Sequence, residues 1–377
     1  MNASIAVVGA GPGGLTCARV LQAHGIGVTV YDTDASRDAR NQGGTLDMHT
    51  GTGQAALDAA GLLEPFLALS RPEGQRMRVL DRDAAVGFDK VFGGSGDGAP
   101  EIDRGRLRAL LLDSLTPGTV RWGRAVTRLE PLGGGVHRVH FGDGSHADHD
   151  LVIGADGAWS RVRAVLTGAV PGYSGVTFVE ARFDDVDTRH RDIAALTGDG
   201  TMMALHDNRG LIAQRNGGGH IRVYIAMRVA LDWHESAGVD LADTGAVRAA
   251  LLKEFPGWDA SLLALITGND GPYINRPIHA LPVPHTWEHT PGLTLLGDAA
   301  HLMSPFSGQG ANLAMLDGAD LARAIAGADD LNEAVRAYEK VMLPRSVEAA
   351  EGAAGAIADA IAPDAPAGVL AHMRAHH

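Results

Sequence analysis

Ile5-Ala6-Val7-Val8-Gly9-Ala10-Gly11-Pro12-Gly13-Gly14-Leu15 joins a short apolar strand to a helix through a turn made largely of glycine. From Leu15 to His24 the apolar residues Leu15, Ala18, Val20 and Leu21 recur at helical spacing, and Gly25 stops the helix. Val28-Thr29-Val30-Tyr31 is the next strand, and it ends at Asp32. Strand, helix and strand follow each other within about 30 residues, the span of one βαβ unit, so the chain opens as an α/β protein. Gly9 permits the tight turn, Gly11 lets a pyrophosphate approach the backbone, and Gly14 lets the helix lie on the sheet. The helix N-terminus offers unpaired N–H groups and a positive dipole to phosphate. Asp32 stands where a carboxylate accepts hydrogen bonds from a ribose. Gly9, Gly11, Pro12, Gly14 and Asp32 are therefore candidate dinucleotide contacts.

Outward from this unit, Val126–Leu132, Val136–Phe141 and His146–Ile153 read as strands joined at Gly133-Gly134-Gly135 and Gly142-Asp143-Gly144. The last of them re-enters the first sheet at Leu151–Gly154. Leu211–Asn216 and His220–Arg228 form a hairpin around Gly217-Gly218-Gly219 in a separate β-rich region. Leu293–Leu296 is a further buried strand, and a helix begins near Gly308. Asp330-Leu331-Asn332-Glu333 is a capping box. The helix it opens is expected to be kinked or interrupted at Pro344, with the alanine-rich tail forming a second helix across the domains. Gly93–Gly98 reads as a loop, since no strand precedes it. His137, His140, His146 and His149 lie on the polar meander and are expected to be solvated rather than to hold a metal.

A formal net charge of −13 over 377 residues argues against nucleic acid as a partner. No apolar run spans a bilayer, and the start Met1-Asn2-Ala3-Ser4 carries no basic region of a secretory signal. The one cysteine, Cys17, rules out an internal disulfide and fits a reducing cytoplasm.

The fingerprint alone says "dinucleotide". Leu295-Leu296-Gly297-Asp298-Ala299-Ala300-His301, followed by Gly308-Gln309-Gly310-Ala311-Asn312, narrows this to FAD. Asp298 at a strand end can bind ribityl hydroxyls. The glycines let the next helix start against a flat ring, where its dipole favours negative charge on a reduced flavin.

With these motifs the chain resembles the class A flavoprotein monooxygenases, and within them the Tet(X) tetracycline-inactivating group. The resemblance is carried by Gly9–Gly14, by Asp156-Gly157 inside Gly154-Ala155-Asp156-Gly157-Ala158-Trp159-Ser160-Arg161-Val162-Arg163, and by Gly297-Asp298. Gly43-Gly44-Thr45-Leu46-Asp47, Ile102-Asp103-Arg104 and Gly257-Trp258-Asp259 extend it over nearly the whole chain. It implies a Rossmann-like FAD-binding domain of the glutathione-reductase/PHBH type, a β-rich substrate domain and a C-terminal helical segment. The expected division gives the FAD domain residues 1–72, 101–171 and 275–328, the substrate domain 73–100 and 172–274, and the helical segment 329–377. By the same resemblance Asp47, Arg104, Asp298, Gly308, Gln309, Gly310 and Ala311 contact FAD. Arg40 would contact NADPH or flavin, and Asp156-Gly157 would serve both. The implied reaction has NADPH reduce FAD, O₂ add to give a flavin hydroperoxide, and one oxygen atom pass to an aromatic or polycyclic substrate in a monomeric enzyme. No catalytic side chain and no metal are then required.

The chain departs from the Tet(X) pattern at the substrate. The group's glutamine, arginine and histidine fall here at Glu180, Thr201 and Arg222, which changes the charge and donor set that would grip a tetracycline. A role in antibiotic resistance is thus left open. A dehydrogenase or reductase on the same scaffold, and a flavoprotein that sequesters a polycycle without turnover, are the alternatives.

Overall fold

The computed structural model describes residues 3–40, 43–92 and 98–376. Residues 1–2 and 93–97, and with them most of the expected Gly93–Gly98 loop, lie outside the described residues.

The opening βαβ unit forms where its pattern puts it. Ile5–Val8 pairs in parallel with Leu151–Gly154 on one side and Thr29–Tyr31 on the other. Leu293–Leu295 and Val120–Arg121 complete a five-stranded parallel sheet. Its central strands are buried on both faces, which is why they read as unbroken apolar runs. The helix Pro12–Ala23 covers this sheet and packs along Gln309–Ala326. The two helices meet closely because Gly13 and Gly318 face each other: a Cβ on Gly318 would stand 2.4 Å from the Gly13 carbonyl. Val126–Gly133, Val136–Phe141 and His146–His149 form the expected antiparallel meander beside it.

The second body is a seven-stranded sheet. Its strands run in the order Ile274–Ala280, Gly172–Phe183, His220–Arg228, Arg209–Asn216, Thr201–His206, Arg76–Leu80 and Val86–Val91. The strand at its edge ends at Ala280. Side chains alternate along the central strands, so the sheet has two distinct faces. Val179, Ala181, Val223, Ile225, Leu211 and Ala213 point to a core closed by the helices Thr244–Glu254 and Ala260–Thr267. Phe178, Met203, Ile212 and Ala226 point the other way, toward the C-terminal helices and Phe306.

The helix Leu331–Ala360 begins at Asp330, whose carboxylate accepts from the N–H groups of Asn332 and Glu333. Of the two outcomes expected at Pro344, interruption does not occur: the helix is continuous there. Flanking packing, with Tyr338, Met342 and Ser346 buried, holds the helix across the missing N–H. The helix Ala367–His376 then folds back on it and over the edge of the seven-stranded sheet. The meander histidines also correct an expectation. His137 and His149 are buried, and His149 is held by Ser4 Oγ at 2.8 Å and Tyr31 Oη at 3.1 Å. Among the described residues no three His, Cys, Asp or Glu side chains gather as a metal site. No described helix is long and apolar enough to cross a membrane.

Candidate active site

The glycine turn is built from the strand ends around it. Gly9 has φ +114°, and a Cβ there would stand 2.2 Å from the Ala155 carbonyl oxygen, so the turn can hold no other residue without moving. A Cβ on Gly14 would meet the Gly9 carbonyl at the same distance, so the helix lies directly on the turn. Gly11, by contrast, faces open space, and no side chain caps the helix that starts at Pro12. Free N–H groups at a helix start beside an open glycine are an anion cradle.

Asp32 is buried. Its Oδ2 accepts the Ala10 N–H at 2.7 Å and its Oδ1 the Asp34 N–H at 2.8 Å, so it clamps the turn to the end of the second strand. Arg108, which the sequence reading passed over, holds the next peptide of the turn, donating to the Ala10 carbonyl at 3.2 Å. Arg40 reaches the same corner, where its Nε stands 2.9 Å from Asp34, with the side chain 63% exposed.

Asp156 turns inward. It accepts from Ser160 Oγ at 2.5 Å and from the Arg161 N–H at 2.7 Å, and so orders the loop after Gly154. Burial raises its pKa above the usual carboxylate range. The part of the motif left facing outward is Gly157, with φ +78° and open space around it. Arg163, also missed, joins this motif to the next one. It is buried and donates to the carbonyls of Ala158 at 2.6 Å and Ala299 at 3.0 Å.

Asp298 leads the short helix Asp298–His301 and is exposed, on the side of Gly310. The helix Gln309–Ala326 starts from Gly308 in the left-handed region at φ +66° with no side-chain cap. Its first N–H groups and the free Asp298 carboxylate therefore share one mouth. Asn312 stitches this helix to the segment after Asp47. Its Oδ1 accepts the N–H groups of His49 at 2.9 Å and Gly53 at 3.2 Å, and its Nδ2 donates to the carbonyls of Asp47 at 2.8 Å and Gly308 at 3.1 Å. Asp47 Oδ2 takes His49 Nε2 at 3.0 Å, and this bond raises the His49 pKa. Gln309 approaches the other ring nitrogen of His49 at 3.4 Å. Arg104 anchors Gly44 through its own N–H at 3.0 Å. The carboxylates that could have held its side chain, Glu101 and Asp103, go to Arg71 and Arg106 instead.

The seven-stranded sheet turns a polar patch toward Gly44. Thr201 pairs with Gln214 and Gln214 with Arg222, while Tyr224 pairs with Glu180 in the adjacent row. Glu180, Thr201 and Arg222 thus share one face. A Cβ on Gly44 would meet Tyr224 Oη at 2.8 Å and Arg222 Cδ at 3.5 Å, so the patch bears directly on this segment. Buried Glu180 is gripped on one oxygen by Arg222 and on the other by Arg276 Nε at 2.5 Å. Phe178 lies beside it in contact with Tyr224 and Phe306, at ring separations of 5.5 and 5.6 Å.

These residues fit a flavin dinucleotide: two uncapped helix starts, an open glycine at the first of them, and carboxylates at Asp32 and Asp298. Comparison with known proteins agrees. Residues 2–242 and 283–339 match the family model described as the FAD binding domain. The chain is 33% identical to a monooxygenase, penA, of Penicillium thymicola, over 92% of each chain. It is 31% identical to the 3-amino-4-hydroxybenzoate 2-monooxygenase of Streptomyces cremeus, over 91% of this chain and 84% of that one. Two solved structures share the fold at lower identity. Klebsiella pneumoniae HpxO, complexed with FAD and uric acid, has a TM-score of 0.81 at 23% identity, over 98% of this chain and 91% of that one. The tetracycline destructase Tet(55) has a TM-score of 0.75 at 20% identity, over 99% and 93%. The chain belongs to the FAD-binding-domain family of class A flavoprotein monooxygenases, and it is an FAD-dependent monooxygenase.

Proposed function

We propose that this FAD-dependent monooxygenase uses NADPH to hydroxylate an aromatic or polycyclic small molecule that carries an acidic oxygen. The observation behind this reading is Glu180, held between Arg222 and Arg276 on the sheet face that bears on Gly44. One carboxylate between two guanidinium groups leaves an excess of positive charge in a half-buried place. Arg222 keeps N–H groups beyond those used by Glu180, and a guanidinium favours planar anions such as phenolate, enolate or carboxylate. Phe178, Tyr224 and Phe306 supply the apolar and aromatic wall for the ring that bears the anion.

Bound FAD would supply the redox chemistry, in which two electrons from the nicotinamide let one atom of O₂ pass to the substrate and the other leave as water. The chain's own residues do the rest. Gly11 and the helix starts at Pro12 and Gln309 bind phosphate and the flavin's pyrimidine edge, and Asp32 and Asp298 take the ribose and ribityl hydroxyls. Arg222 orients the substrate, with Glu180 fixing the guanidinium and Thr201 bordering it. Arg40, exposed at the Asp34 corner, is a contact for a nicotinamide dinucleotide that visits rather than stays, since the sequence holds one fingerprint only. Aminohydroxybenzoate and uric acid, named for two of the similar proteins, are acidic ring compounds of the proposed kind. Tetracycline-like substrates and membership of the Tet(X) group are the narrower form of the reading. So are a monomer and a cytoplasmic location, and the domain division at residues 72, 100, 171, 274 and 328 is part of it too.

The test is oxidation of NADPH and of NADH by the FAD-loaded protein across phenols, aminohydroxybenzoates, polyketides and tetracyclines, each with a derivative in which every acidic oxygen is methylated, as ether at phenol and enol and as ester at carboxylate. Stimulation by the acidic member and not by its methylated derivative supports the reading. Equal stimulation by both, or by neither across the panel, overturns it.

A further inference from the structure

Behind the Gly297–Asp298 turn lies a buried polar cluster that no step above uses. The Gly297 N–H donates to Asp317 Oδ2 at 3.1 Å, and His301 Nε2 donates to the same oxygen at 2.6 Å. Arg345 donates to the other oxygen at 2.9 Å and to Asp320 at 2.8 Å. Asp317 and His301 are both almost wholly buried. The next histidine, His285, is buried too, and its Nδ1 lies 2.5 Å from the Ala300 carbonyl. A carbonyl only accepts, so His285 carries its proton on Nδ1 and leaves Nε2 as a bare acceptor.

Two buried atoms of this cluster then find no partner among the described residues: His301 Nδ1 and His285 Nε2. Both residues line one cavity of about 10 Å³, together with Leu281, Leu302, Ser346 and Val347. That is the room of a single water molecule. The chemistry of the lining is complementary. His301 gives Nε2–H to the Asp317 carboxylate, and as the imidazolium that this carboxylate favours it presents Nδ1–H as a second donor, while His285 Nε2 is an acceptor. Ser346 Oγ donates to the Leu343 carbonyl at 2.8 Å and can still accept. A water accepting from His301 and donating to His285 and Ser346 would make three hydrogen bonds, the usual number for a buried water.

We propose that His285, His301 and Asp317 are positioning residues that hold the Gly297–Asp298 turn against FAD from behind, linked by one water bound between the two imidazoles. The relay grips the turn at Gly297 through its N–H and at Ala300 through its carbonyl, the two ends of the segment that presents Asp298. Burial alone would push His301 down, but the Asp317 carboxylate outweighs this and raises its pKa, with Asp298 adding to the effect. Burial lowers the His285 pKa, with Arg163 and His301 nearby acting in the same direction. The His285 direction agrees with the neutral Nδ1–H form that its bond to Ala300 requires, and the His301 direction supplies the second ring proton that the water bridge uses.

The inference rests on FAD binding at this turn, and the experiment separates the two. Wild type, His285→Leu and His285→Gln are titrated with FAD by flavin fluorescence, and their apoproteins are melted in parallel. Glutamine keeps a donor for Ala300 and an acceptor for the water; leucine keeps neither. The expected result is FAD affinity at least tenfold weaker in H285L and within about threefold of wild type in H285Q. Equal affinities in the two variants at equal melting temperature overturn the relay. Failure of wild type to bind FAD would overturn the cofactor reading instead. Histidine ¹⁵N spectra of the wild-type holoprotein at pH 7 give a check that needs no variant. His301 protonated on both nitrogens and His285 neutral with its proton on Nδ1 support the relay; a neutral His301 overturns it.

Discussion

Asn312→Ala would cut the stitch between the Asp47–Gly53 segment and the helix that starts at Gln309. The side chain is fully buried and makes four hydrogen bonds to backbone, two accepted from His49 and Gly53 and two donated to Asp47 and Gly308. Each lost bond is worth about 1 kcal/mol, and more where its partner stays dry. The segment around His49 is half-buried and water can re-enter the space left, so the total should be about 2–4 kcal/mol. Asp47 and Gly308 are neighbours at the proposed FAD site, so FAD affinity should fall as well, by about 10- to 100-fold. The assays are denaturant unfolding of the apoprotein and FAD titration by fluorescence. A second substitution sharpens the test: a Cβ on Gly53 would lie 2.4 Å from Asn312 Oδ1 and 2.9 Å from Met48 Sδ. Gly53→Ala should therefore destabilise wild type and do so less in the Asn312→Ala background, where the first clash is gone. A non-additivity of about 1 kcal/mol is expected in this cycle. Unfolding of N312A within 0.5 kcal/mol of wild type, by the usual scatter of neutral changes, would refute the reasoning, as would strictly additive costs.

Asp298→Ala removes an exposed carboxylate, so unfolding free energy should change by less than about 0.5 kcal/mol while FAD binds about tenfold more weakly; equal loss of both would mean a structural role. Glu101, buried beside Arg71 and Thr45, has its pKa raised by burial from 4.5 to about 7. Its folded-state value lies above the unfolded one, so its contribution is complete below pH 4.5 and is lost as the pH rises through about 7, a change of about 3 kcal/mol. Denaturation of wild type and Glu101→Gln from pH 4.5 to 8 should show the variant gaining on wild type across this window, and parallel curves would contradict the assignment. Cys17 is buried and its thiol is pushed up to about 12, so a thiol reagent at pH 8 should leave the native protein unlabelled and react fully once it is unfolded.

The first βαβ unit was legible because everything it needs is local. The strand, the turn, the helix and Asp32 follow each other within one span, and apolar period and glycine position are enough to read them. The hairpin at Gly217–Gly219 and the cap at Asp330 were legible for the same reason. The residues that were missed act across the chain. Asn312 bonds to backbone some 260 residues away, Arg163 links two motifs 135 positions apart, and Arg108 reaches Ala10 across 98. In sequence each is one more polar residue near a motif. For Asn312 and Arg163 there was a signal, a place at the end of Gly308-Gln309-Gly310-Ala311 and of the Asp156-Gly157 motif; for Arg108 there was none. His149 was misread because alternation on a meander does not say which edge packs against Tyr31. Pro344 does not interrupt its helix because a local rule gave way to tertiary packing. Glu180 and Arg222 were singled out one by one, but their ion pair follows from strand register, which the sequence does not display.

The most direct measurement is turnover of the acidic ring compound that best stimulates NADPH oxidation, under ¹⁸O₂, with the product analysed by mass spectrometry. The account predicts one ¹⁸O atom per product and one NADPH consumed per product formed, with Arg222→Met raising KM for the acidic compound well above its effect on kcat. Product without label, or NADPH consumption that yields only hydrogen peroxide with every compound tried, would contradict it.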